Sequence, residues 1–163
     1  MNSSAHMTIY SRSSIELEIR GSINSIDFLY PMGLRWSCTR CGRCCKDPED
    51  RERTILLLPS DIERFDLQID KKDFIKSITG EEPFIAEMLK KNGSCVFLTK
   101  QGCSFYDKRS LLCRLYPFWI NRKGNLLIVR VDDSCSGLGR GEPLTEKFYK
   151  QLVGMSVRLK EGL

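Results

Sequence analysis

Histidine is almost absent: His6 is the only one among 163 residues. This excludes a Ser–His–Asp triad or a Cys–His pair within the body of the chain. It also excludes the mixed cysteine–histidine sets common at zinc. No apolar run is long enough to span a bilayer. The first twenty residues, MNSSAHMTIYSRSSIELEIR, lack the apolar stretch of a secretory signal. There is no internal repeat, no low-complexity tract, no G-x-G-x-x-G after a strand pattern and no Walker A lysine. The net charge is only +5, and the basic residues are spread without interleaved aromatics. Nucleic acid is therefore not expected as a partner, nor is a membrane. A protein partner of unknown identity remains open.

What the chain has instead is cysteine. Four fall in Cys38-Thr39-Arg40-Cys41-Gly42-Arg43-Cys44-Cys45, and four follow singly as Cys95, Cys103, Cys113 and Cys135. Such a set makes either a disulfide framework or thiolate ligands. With no export signal, the expected compartment is the reducing cytoplasm, where clustered cysteines bind metal. All eight are candidate metal ligands. A C-x-x-C turn aims two sulfurs at one ion or cluster, and Gly42 supplies the backbone freedom the turn needs. Backbone N–H groups around Gly42 can face anionic sulfur, which makes it a candidate for the cofactor-binding shell. Cys44 and Cys45, being adjacent, are expected to diverge, serving two sites or leaving one reactive thiol. Arg114 is expected either to compensate thiolate charge, as a second cofactor-binding residue, or to pair with an acid. Tyr106 and Trp119 read as core or as cover for the site. Gly137, Gly139 and Gly141 read as a tight turn presenting Cys135.

An all-thiolate set suits two four-cysteine zinc sites or an iron–sulfur cluster. A zinc ribbon pairs two C-x-x-C units, whereas the distal cysteines here are single. A close run completed by a distant ligand is the arrangement that holds a 4Fe–4S cluster. An iron–sulfur cluster is thus the preferred cofactor, with zinc the alternative, in a structural or interaction module or a metal carrier.

Six segments carry a family resemblance: C-T-R-C-G-R-C-C (38–45), L-L-P-S-D-I-E-R-F (57–65), C-V-F-L (95–98), G-C-S-F-Y (102–106), R-S-L-L-C-R-L-Y-P-F (109–118) and C-S-G-L-G-R-G (135–141). In order, spacing and flanks the chain resembles the YkgJ-like cysteine-cluster proteins, a zinc- or iron-chelating family. The flagellin lysine N-methylases carry a related cluster. The resemblance implies metal or cluster binding by these cysteines, and a link to redox or methyl-transfer chemistry, without fixing a reaction. One departure is Ser110, where the family usually has proline.

The length suits one domain, residues 7–163, after a tag-like remnant at 1–6. Alternation at Ile15, Leu17 and Ile19 predicts a strand within 8–20, and Phe28–Trp36 a second. Helices are expected from Ser60, capped by Glu63, over Asp70–Ser77 and over 82–91. A helical turn is expected at Arg109–Cys113, a hairpin at 118–131, and a final helix over 144–160. The fold class expected is a small, loop-rich α+β domain. Short helices, a few antiparallel strands and a C-terminal helix would surround an all-cysteine metal site.

Overall fold

The computed structural model describes residues 8–9, 14–20, 33–65, 69–123 and 126–161. His6, the stretch 28–32 and the hairpin tip Gly124-Asn125 lie outside them. The fold is α+β, with short antiparallel strands and three α-helices among the described residues: α1 (Pro59–Arg64), α2 (Leu111–Leu115) and α3 (Glu146–Glu161). The chain divides into two compact units: residues 1–39 with 117–156, and residues 40–116 with 157–163.

In the first unit four antiparallel strands run in the order Thr8–Ile9, Ser14–Arg20, Leu126–Asp132, Phe118–Lys123. The strand expected from the alternation at Ile15, Leu17 and Ile19 is present, and in its register these residues stand opposite Val131, Val129 and Leu127. Phe118 pairs with Val131, and both are buried. Arg35–Trp36 pairs with Leu138–Pro143. Trp36, Phe118 and Phe148 form an aromatic triangle with centroids 5.3–6.0 Å apart. Along α3, Tyr149, Leu152 and Val153 turn inward at helical spacing. Trp119 is not core: it is 37% exposed on the edge strand.

The second unit is built from shorter pieces. Leu56–Leu57, Ala86–Met88 and Ile75–Ser77 make a three-stranded antiparallel sheet. Two tiny hairpins follow, Lys90–Lys91 with Ser94–Cys95, and Leu98–Thr99 with Gly102–Cys103. Its core gathers Phe65, Phe74 and Phe97, with Phe105 packed against them.

Three helix expectations are corrected here. Within 82–91 the structure has two short strands, Ala86–Met88 and Lys90–Lys91, in place of the helix, with Ala86 and Met88 buried and Glu87 between them. The turn that ends the segment is Asn92-Gly93, both at positive φ, the signature of a two-residue hairpin loop. Over 70–77 only one 3-10 turn forms, Lys71–Asp73, and Ile75–Ser77 then pairs with Ala86–Met88. In both segments sheet pairing overrides a helix-like apolar spacing. Helix α1 starts at Pro59, well suited to a first helical position, and the side chain reaching back is Asp61, not Glu63.

Candidate metal centre

The cysteine loop closes by backbone geometry. Arg40 and Gly42 both take positive φ, 56° and 72°, and a 3-10 turn over Arg43–Cys45 follows. Glycine suits the positive φ at Gly42, and a Cβ there would lie 2.7 Å from Leu98 Cδ1, so the end of the Leu98 side chain would have to move to admit one. The Cys44 and Cys45 sulfurs do not diverge; they stand 4.0 Å apart. A 3-10 turn rotates successive side chains by about 120°, against the near-opposition of a strand.

Cys45 and Cys95 are buried in the core, and Cys44, Cys103 and Cys113 pack against it. Cys95 and Cys103 sit in matching turns, Cys95-Val96-Phe97 and Cys103-Ser104-Phe105. In each, the N–H of the phenylalanine two residues on is directed at the sulfur. The two phenylalanine rings are 4.3 Å apart, centroid to centroid. The loop bearing the close cysteines is clasped to the Cys95 hairpin: Asp47 accepts from Lys90 Nζ at 2.8 Å and from Arg53 N at 2.8 Å, while its own N–H donates to Gly93 O. Cys113 rides on α2. Ser110 caps that helix by accepting from Cys113 N at 3.4 Å, a cap that proline cannot supply.

Cys41 belongs to the same unit and is exposed. Cys38 and Cys135 belong to the first unit, where their flanks are joined: Ser37 N donates to Gly137 O at 3.1 Å, and the Thr39 and Ser136 hydroxyls are 2.9 Å apart. Gly137 is needed there, since a Cβ would fall 2.4 Å from Ser37 O.

The thiols bias one another. The single Cys45 S–H is shared between the Cys103 and Cys44 sulfurs, which pushes its own pKa far up. Cys44 is lowered to about 7, by that hydrogen bond first and then, against burial, by the charges of Arg109 and Arg53. Cys103 is lowered to about 6, again by the Cys45 thiol, then by the Phe105 N–H and Arg109. Burial pushes Cys113 up to about 12 and raises Cys95. The guanidinia that bear on the lowered thiols are Arg53 and Arg109. Arg114 faces the carboxylate of Asp61. Arg109 is held over the Tyr106 ring at 3.8 Å and donates to Tyr106 O and Cys113 O.

A family model described as "Putative zinc- or iron-chelating domain", CxxCxxCC, matches residues 37–136. The chain belongs to this CxxCxxCC family. A protein of Methanocaldococcus jannaschii, named as uncharacterized, is 28% identical over 145 residues, covering 83% of this chain and 77% of its own. No solved structure matches. The match spans all eight cysteines, and it makes metal binding through cysteine the property that this CxxCxxCC domain shares with its family.

The donor chemistry of the second unit fits such a group. Every donor is sulfur, two thiols ionise readily, and N–H groups and guanidinia surround them. Cys44, Cys45, Cys95, Cys103 and Cys113 would hold it, with Cys41 alongside. They are gathered rather than closed: among the described residues no three cysteine, histidine or carboxylate side chains form a finished ligand set. Sequence reasoning missed Arg53, Arg109, Phe97 and Phe105. The C-x-F repeat at 95–97 and 103–105 was the available signal.

In metal-free, reduced protein, alkylation by iodoacetamide is expected to rise with pH through midpoints of about 7 at Cys44 and about 6 at Cys103, against an ordinary thiol at 9.0. Cys113 should stay unmodified at pH 8. Peptide mass spectrometry over a pH series reads this, and midpoints near 9 at both sites would refute the shared-proton arrangement.

Proposed function

We propose that the cysteines of the second unit hold an iron–sulfur cluster and that the protein serves a redox or protein-modification system, such as methyl transfer, in the cytoplasm together with a protein partner. The observation that carries this reading is the gathering of five thiols from four chain segments, with backbone N–H groups directed at two of the sulfurs. A zinc ion and a 4Fe–4S cluster each take four cysteine sulfurs, so the number of gathered thiols does not separate the two. The surroundings favour the cluster, because buried aromatic rings and N–H···S bonds are the levers that set its potential. Such a cluster supplies one-electron transfer. The chain's own residues shelter the sulfurs from water through Phe65, Phe97 and Phe105 and offset thiolate charge through Arg53 and Arg109. The backbone about Gly42 shapes the loop that presents Cys44 and Cys45.

Protein purified anaerobically is expected to contain iron and acid-labile sulfide in similar amounts, with a broad visible absorbance shoulder that bleaches on reduction. Stoichiometric zinc without labile sulfide, in protein never exposed to air, would replace this reading with a tetrathiolate zinc module.

A further inference from the structure

We propose that Arg64, Arg114 and Arg158, on the last turns of α1, α2 and α3, form a binding site for a phosphate-type oxyanion. The placement follows from one buried bond. Asp61 Oδ1 accepts from Leu111 N at 2.8 Å, which joins α1 to the start of α2. Arg64 follows Asp61 by three residues, and Arg114 follows Leu111 by three. Each arginine therefore stands one turn beyond the joined residues, on the same helix face. The charges of Arg64 and Arg158 both bear on Arg114.

The acid facing this group is Asp61, and both its oxygens are engaged, Oδ2 by Leu58 N and Oδ1 by Leu111 N. Arg114 Nε is buried and has no hydrogen-bond partner among the described residues. A buried guanidinium N–H without an acceptor is costly, and neighbouring like charges repel. An oxyanion removes both costs at once. The planar guanidinium fork matches phosphate oxygens, and the rest of the group lies open enough for entry, with Arg158 exposed and Arg64 half-buried. Arginine on a last helical turn also offsets the terminal carbonyls. That role leaves the Arg114 Nε orphan unanswered.

The test uses the reduced, metal-loaded full chain at constant ionic strength, with inorganic phosphate and phenyl phosphate titrated by calorimetry and chloride as the reference. Saturable binding of either phosphate, but not of chloride, is expected. Arg114→Gln and Arg158→Gln should each weaken it by about tenfold or more, the loss of one charge-assisted contact. Lys100→Gln, which removes the same charge from an exposed turn, should leave it unchanged. Tighter binding of the ester assigns a phosphorylated ligand, and tighter binding of the inorganic ion assigns free phosphate. No saturable binding, or affinity unchanged in both arginine variants, overturns the proposal. Arg158→Gln, at an exposed position, decides the matter if Arg114→Gln does not fold.

Discussion

Anaerobic removal of the metal from reduced protein is expected to lower its melting temperature by about 10 °C or more. The strands described in the second unit are two or three residues long, and its aromatic core is small. Segments this short have little cooperative strength of their own. A thiolate-bound metal would tie the 43–45 turn, both hairpins and α2 together through Cys44, Cys45, Cys95, Cys103 and Cys113. Structural metals contribute about 10–16 kcal/mol in small thiolate domains, and even a third of that corresponds to the shift stated. Cys103→Ser should reproduce much of the loss, since it removes a sulfur and the acceptor that orients the Cys45 thiol. Cys41→Ser, at the exposed member, should cost less. Scanning calorimetry with and without chelator reads both, and an unchanged melting temperature after complete metal removal would count against a structural role.

Asp61→Ala is expected to cost about 2–5 kcal/mol, a fall of about 5–15 °C. Asp61 is only 2% exposed, and its truncation strands two buried N–H groups, those of Leu58 and Leu111. Because α2 carries Cys113, the same change should loosen metal retention. Asp61→Asn keeps one oxygen acceptor and should be milder. The pH dependence separates the two states of the carboxyl. Burial raises the Asp61 pKa above the usual 3.8, against its two backbone bonds. A carboxyl raised by folding stabilises most below its unfolded value and loses that contribution as pH rises through the folded one. Acidification from neutrality should therefore increase the stability of wild type relative to Asp61→Asn. Thermal unfolding of both from pH 7 to pH 4 measures this. A melting temperature for Asp61→Ala within about 2 °C of wild type would refute the pin between α1 and α2.

Legibility followed the range of the interactions involved. The α+β class, the hairpin at 118–131 and the C-terminal helix were readable because one period dominated each segment. The segment 82–91 was misread because Phe84, Ile85, Met88 and Leu89 also satisfy helical spacing. The overlooked signal was local, the Asn92-Gly93 pair that turns a hairpin. Likewise Asp70 does cap a turn, accepting from Lys72 N, yet pairing of Ile75 with Met88 ends it after three residues.

By itself the sequence determined the chemistry of the donors: sulfur without histidine, in the spacing of the CxxCxxCC family, with a glycine at the turn between Cys41 and Cys44. Residue type and short spacing are properties of the chain, and the chemistry of a ligand travels with them. Which sulfurs meet, and what charge they meet, was decided only in three dimensions. Cys45 donates to Cys103, fifty-eight positions along the sequence numbering, and Arg109 rather than Arg114 bears on the lowered thiols. Asp61 is fifty residues from the backbone N–H it caps. Such partners are set by the packing of separate segments on a shared core, and no local pattern encodes a contact between residues so far apart.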